Sequence, residues 1–123
     1  MIEAYNNKDK LISFVDGTKY LNKKKKMVGY LKKNKYKDKS GTTLLILKEN
    51  GDITWSEGET QGYFKENKIF SSYDDNVVFE FRKDKGIILN STGETLLYLK
   101  GDIEKLVDLD FFGITSQFLE LFA

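Results

Sequence analysis

Apolar and polar residues alternate along most of this chain with a period of two, as strands with one buried face do. The pattern is plainest in "MVGYLKKNKYKDKSG" and "TQGYFKENKIFSSYDDN", which share a Gly-Tyr-bulky-Lys phrase, an Asn-containing break, a second alternation and an acidic or Gly turn. With the bulky residue before the charged one as an anchor, the same place recurs at Val15, Leu31, Leu47, Phe64, Phe81 and Leu99. These anchors are spaced 16, 16, 17, 17 and 18 residues apart. Such a period is too short for a helical pair, and it suits two strands of about five residues with two turns.

In each unit the anchor and the position two before it form an inward column: Ser13/Val15, Gly29/Leu31, Leu45/Leu47, Gly62/Phe64, Phe79/Phe81 and Leu97/Leu99. The position between them faces outward and reads Phe14, Tyr30, Ile46, Tyr63, Glu80 and Tyr98. Turns written "DG", "KKN", "KENGD", "KEN", "RKDKG" and "KGD" follow, all with hairpin chemistry. The returning strands centre on Tyr20, Tyr36, Ile53, Ile69 and Ile87, and "IEAY" at the start reads as a returning strand whose first strand is missing. The expectation is twelve short antiparallel strands in about six hairpins of roughly 17 residues.

Residues 102–123 break the alternation. Asp102 can cap a helix bearing Ile103, Leu106 and Val107, and Thr115-Ser116 can cap a further stretch with Phe118, Leu119 and Phe122. Gly113 is expected to break or bend it. Its last part is apolar all round, as in a buried helix. Twelve strands close into a barrel too wide for its own side chains to fill. The fold class is therefore all-β with one C-terminal helix: a single domain, 1–123, with a shallow hairpin barrel over 1–101 and an apolar helical plug over 102–123. Gly29 and Gly62 are expected where the helix backbone comes closest to the wall.

With no Cys and no His among 123 residues, there is no disulfide framework, no thiolate metal site and no imidazole base. Proline is absent too, so Gly, Asn, Asp and Ser make the turns. Residues 1–10 lack the apolar core of a signal peptide, and no run approaches a membrane span, so the expected location is cytoplasmic. The net charge of +1 conceals a strong asymmetry. Residues 1–41 carry 12 Lys against 4 acidic residues, whereas 42–123 carry 8 basic against 15 acidic. An anionic partner for the basic part, or pairing of the two parts within or between chains, is implied.

With its repeated "VGYLKKNKYKDKSG" and "QGYFKENKIF" phrases, the chain resembles the bacterial β-flower hairpin-repeat proteins. Its plan of twelve strands around a central helix is similar to a miniature Tubby C-terminal domain. The resemblance spans residues 2–122, and the units at Leu47 and Phe81 depart from the Gly-Tyr phrase. Tubby domains bind phosphoinositide headgroups through basic surface residues. The resemblance thus implies an anionic ligand, although no Tubby lipid-binding motif is matched residue by residue.

The candidate binding residues are Lys19, Lys23, Lys24, Lys25, Lys26, Lys32, Lys33, Lys35, Lys37 and Lys39, with Tyr20, Tyr30 and Tyr36 for stacking. Lysine also keeps hairpin edges soluble, which is the plainer use of such a run. Arginine, the better phosphate fork, occurs once, as Arg82 outside this stretch. The carboxylate pairs Glu57/Glu59 and Asp74/Asp75 fall in turns, where acids are common. Glu104/Asp108 has helical spacing and Asp108/Asp110 adjoins it, so neither catalysis nor metal binding is favoured. Trp55 with Tyr30, Tyr63 and Tyr98 could line a small-ligand site, or simply cover a sheet face. "NST" at 90–92 and "SGTT" at 40–43 carry no further weight.

The leading expectation is a non-enzymatic module, without cofactor or metal, whose lysine-rich hairpins hold a nucleic acid, an anionic lipid headgroup or an acidic protein. The alternative is a small inhibitor, immunity or anti-defence type protein that docks on one protein target through its acidic part and exposed aromatics such as Trp55 and Tyr63.

Overall fold

A computed structural model describes residues 1–123. Twelve strands follow one another: β1 (Ile2–Asn6), β2 (Leu11–Asp16), β3 (Lys19–Leu21), β4 (Met27–Lys32), β5 (Lys35–Asp38) and β6 (Thr43–Leu47), then β7 (Asp52–Trp55), β8 (Thr60–Lys65), β9 (Lys68–Ser71), β10 (Val77–Arg82), β11 (Ile87–Asn90) and β12 (Thr95–Lys100). Each pairs antiparallel with its neighbours in sequence, and β1 pairs with β12 to close the barrel. The "IEAY" strand therefore finds its missing partner at the far end of the chain, where Ala4 lies opposite Leu99. Closure leaves no edge strand exposed.

Register turns the repeat into three inner layers. The middle layer is Ala4, Tyr20, Tyr36, Ile53, Ile69 and Ile88, none more than 6% exposed. Each lies opposite the anchor of its own hairpin, as in Leu31↔Tyr36, and opposite the inward residue of the next one, as in Tyr36↔Leu45. Ile88 holds this place, not the expected Ile87, which is only half-buried. The turn after Phe81 is longer, so Arg82 pairs with Ile87 and Phe81 with Ile88.

A second periodic feature lies beside the middle layer. Pairing skips one residue in every hairpin-to-hairpin step, leaving Ile12, Val28, Leu44, Gln61, Val78 and Leu96 as bulges. A bulge bends and twists its strand, and six at one level curl a short sheet into a closed ring. Five of the six are apolar, and Ile12, Val28, Val78 and Leu96 pack against the core.

After β12 the chain makes a 3₁₀ turn, Ile103–Lys105, and then α1, Asp108–Phe118. Phe111, Phe112, Gly113, Ile114, Thr115 and Ser116 are all buried, so every face of the helix meets the barrel interior. The helix begins at the hairpin-turn end, where Asp108 forms an ion pair with Lys83. Its far end reaches the opposite rim, where Gln117 accepts a hydrogen bond from the Tyr36 hydroxyl at 2.8 Å. No helix is long and apolar enough to cross a membrane.

Three helix details differ from expectation. Asp102 heads only the 3₁₀ turn, and α1 is capped by Asp110, whose carboxylate accepts the Val107 N–H at 2.8 Å. Thr115 and Ser116 do not cap a second segment. They lie inside α1 and donate back to the carbonyls of Phe111 and Phe112, which satisfies two hydroxyls in an apolar core. Gly113 does not break α1, which runs through it; it lets the helix backbone pass close under Tyr20 and Leu31 of the wall.

The wall glycines meet side chains of the C-terminal segment rather than the helix backbone. A Cβ at Gly29 would strike the end of the Gln117 side chain, which can move aside by giving up its bond to Tyr36, and would lie 3.1 Å from the Lys37 carbonyl oxygen. At Gly62 it would overlap the Phe70 carbonyl oxygen and come within 3.1 Å of Phe122 Cε2. Gly62→Ala should therefore cost about 1–2 kcal/mol, and Gly29→Ala clearly less. Urea unfolding of the two variants checks the order, and equal midpoints would refute it.

Candidate functional site

The lysine-rich candidates occupy one sector of the barrel, strands β3 to β5 with their turns. Lys23, Lys24, Lys25 and Lys26 form the link between β3 and β4 at one rim, and Lys39 lies in the next link at that rim. Lys32 and Lys35 face each other across the β4–β5 hairpin, and Lys33 is in its turn at the other rim. Between the rims, Lys19 and Lys37 flank Tyr30 on the outer wall, through the pairs Lys19↔Tyr30 and Tyr30↔Lys37. All ten lysines are exposed except Lys37, which is half-buried.

None of the ten forms an ion pair. The salt bridges of the molecule are Arg82–Glu80 at 3.3 Å, Lys83–Asp108 and Lys100–Asp9 at 3.8 Å, all elsewhere. Close ion pairs within the chain therefore do not offset the charge of these lysines. Lys37 Nζ donates to Thr43 Oγ1 at 2.7 Å, and Lys25 Nζ lies 5.2 Å from the centre of the Phe14 ring.

The links share a turn that explains how the lysine run is held. Asn6, Asn22, Asp38 and Asn90 each accept, through Oδ1, the N–H groups two and four residues on. The residue three on has positive φ: Asp9 60°, Lys25 62°, Gly41 92° and Gly93 86°. Side-chain bonds of this kind replace a backbone turn. Ser40 Oγ adds a bond to Asp38, and with the N–H groups of Thr42 and Ser40 it holds the carboxyl below its ordinary range. The recurrence of Asn, Asn, Asp and Asn at the starts of "NNKDK", "NKKKK", "DKSGT" and "NSTGE" is legible in the sequence, though alternation alone does not expose it.

Two of the three candidate stacking residues are misplaced by the expectation. Tyr20 and Tyr36 sit in the middle inner layer, 1% and 6% exposed, so neither can stack on an outside ligand. Burial raises both phenol pKa values, with Asp110 contributing at Tyr20 and Asp38 at Tyr36. Tyr30 remains on the outer wall, half-buried.

The aromatics of the alternative site do not gather. Tyr30, Tyr63 and Tyr98 lie on the outer wall of β4, β8 and β12, four strands apart around the ring. Tyr63 is stacked on Phe70 with centroids 4.9 Å apart, and its hydroxyl donates to Asp75 at 3.0 Å. Desolvation, together with that bond, raises its pKa. Trp55 is half-buried beside Leu44, Leu45 and Leu121 at the rim where the chain ends.

The carboxylates build no metal cluster: no three acidic residues come together. Glu104 belongs to the 3₁₀ turn and Asp108 opens α1, so the two do not share a helical stripe. Sequence reasoning passed over Tyr73, which is 95% exposed in the link between β9 and β10, next to Asp74 and Asp75. Its signal is the lengthened link "SSYDDN", with a tyrosine at neither an inward nor an outward strand position. No family model, curated protein or solved structure matches the chain.

Proposed function

We propose that this protein is a non-enzymatic binding module that holds an anionic partner on the lysine sector of β3 to β5. The observation that carries the reading is ten lysines on three adjacent strands and their turns, none of them in an ion pair with a carboxylate. Unpaired like charges on one wall repel each other, and a partner that neutralises them relieves that repulsion. The resemblance of its repeat phrases and plan to β-flower and Tubby-type domains supports a ligand-holding scaffold.

Replacing Lys23, Lys24, Lys25 and Lys26 by Ser should leave the fold intact, because the Asn22 side chain and the backbone make that turn. Affinity for an anionic polymer should fall, and the slope of log K against log salt should shrink by up to about 3. Fluorescence anisotropy with labelled polyanions across a salt series measures both. Absence of any binding at low salt removes this reading. Binding that resists salt and depends on Trp55 favours docking on a protein target instead.

A further inference from the structure

The outer wall of the lysine sector contains a shallow depression of about 400 Å³ lined by Lys19, Met27, Tyr30, Lys39, Ser40 and Gly41. Tyr30 is its one aromatic group, and its two cross-strand neighbours are Lys19 and Lys37. We infer that this depression is a single-stranded nucleic acid site, with one base on the Tyr30 ring and the flanking phosphates on Lys19, Lys37 and Lys39. The inference rests on the proposed anionic partner and adds the chemistry that selects it.

The argument turns on what a tyrosine is doing among lysines. A lipid headgroup or an acidic side chain needs the charges and has no flat face to lay on the ring. A nucleotide has both a charge and a π-face. The Tyr30 hydroxyl reaches over Gly41, where an added Cβ would sit 3.4 Å away, so the ring lies along the floor of the depression. Its neighbour Lys37 is tied to Thr43 Oγ1 and the Gly41 carbonyl, which fixes one charge beside the ring.

A duplex keeps its bases stacked inside and would offer Tyr30 nothing, so single strands should be preferred. A membrane would gain from apolar side chains entering it. Met27 is the one exposed large apolar residue in the sector; Met1, Leu44, Tyr73 and Val107 lie in other segments. Two carboxylates lie near it: Asp16 is opposite Lys19 across the β2–β3 pair, without an ion pair to it, and Asp38 has Oδ1 engaged by the N–H groups of Ser40 and Thr42 and by Ser40 Oγ. With lysines and no arginine fork, the site has no bidentate reader of base edges, so recognition should be largely indifferent to sequence.

The test uses the full chain with four probes at low and physiological salt: a labelled dT12 oligonucleotide, a duplex of equal length, polyglutamate, and vesicles containing phosphatidylserine. The expected result is binding of dT12 that exceeds the duplex at matched salt. Tyr30→Ala should weaken dT12 about 5- to 100-fold while leaving polyglutamate binding unchanged, and Tyr30→Phe should keep most of the affinity. Equal losses for dT12 and polyglutamate with Tyr30→Ala, or none for either, overturn the stacking site but leave the anionic-partner reading standing. Vesicles or polyglutamate bound in preference to dT12 overturn it likewise. No binding of any of the four probes at low salt overturns both. Tyr30→Phe keeps the test decisive if Tyr30→Ala proves unstable: a loss with Phe as large as the effect of 0.5 M salt refutes a ring-face contact.

Discussion

Removing residues 107–123 should abolish the cooperative fold and leave a molten or insoluble chain. Those residues bring Phe111, Phe112 and Ile114, each 0% exposed, and Leu121 at 2%, into the core shared with the middle layer of the wall. Burying four such side chains is worth about 1.5–3 kcal/mol apiece. Their sum, on the order of 10 kcal/mol, is comparable with the entire net stability of a typical domain. The wall cannot collapse to compensate, because twelve paired strands fix its circumference. A smaller change tests the same point. Phe111→Ala should cost about 3–5 kcal/mol, since the ring packs 5.0 Å from Phe81, which itself stacks on Phe64 at 5.3 Å. Phe118 is only half-buried and should cost less when truncated. Circular dichroism melts and gel filtration decide: a truncated chain that stays monomeric with a sharp transition would show that the helix is not the core.

The barrel itself was legible because every hairpin repeats the same inward positions. Val15, Leu31, Leu47, Phe64, Phe81 and Leu99 recur at a near-constant interval, and the pairing puts each opposite its expected partner layer. Ile87 is the exception, since Ile88 takes the inward place. Two adjacent isoleucines follow a longer turn there, and a period of two cannot choose between them. The bulges were hidden for a related reason. An apolar doublet such as Val28-Gly29, Val78-Phe79 or Leu96-Leu97 reads as a lapse in alternation, when it marks the residue the ladder skips.

The candidate site was legible in its charges and not in its aromatics. Lysine needs only exposure, and turns and outward positions grant it. Tyr20 and Tyr36 were offered as stacking residues although the same alternation placed them at the centres of returning strands, facing inward. Proximity to lysine in the sequence outweighed that register, and the register prevails. Thr115 and Ser116 show another limit. Their hydroxyls serve equally as caps or as internal back-bonds, and the environment chooses. In a core with few polar partners, the carbonyl one turn earlier is the available acceptor.

Gly113 carries the second large effect, and its sign is unusual. On an exposed helix, Gly→Ala gains about 1 kcal/mol from backbone entropy. Here the new methyl would overlap the Tyr20 hydroxyl, lie 2.8 Å from Tyr20 Cζ and 2.9 Å from Leu31 Cδ1. Tyr20 has little room to yield. It is 1% exposed, with the Phe118 ring edge-on at 5.7 Å and Tyr36 at 6.4 Å. Gly113→Ala should therefore destabilise by a net of about 2–3 kcal/mol. The Tyr20 hydroxyl has no hydrogen-bond partner, so Tyr20→Phe alone should be neutral or stabilising by about 1 kcal/mol. Because that hydroxyl is the nearest obstacle, combining the two changes should recover at least about 1 kcal/mol of the loss from Gly113→Ala. Chemical unfolding of the four members of this cycle measures the coupling. A gain in stability from Gly113→Ala, as at a surface helix, would mean that α1 does not press against β3. Additive changes would instead put the strain on Leu31, which Leu31→Val should then relieve.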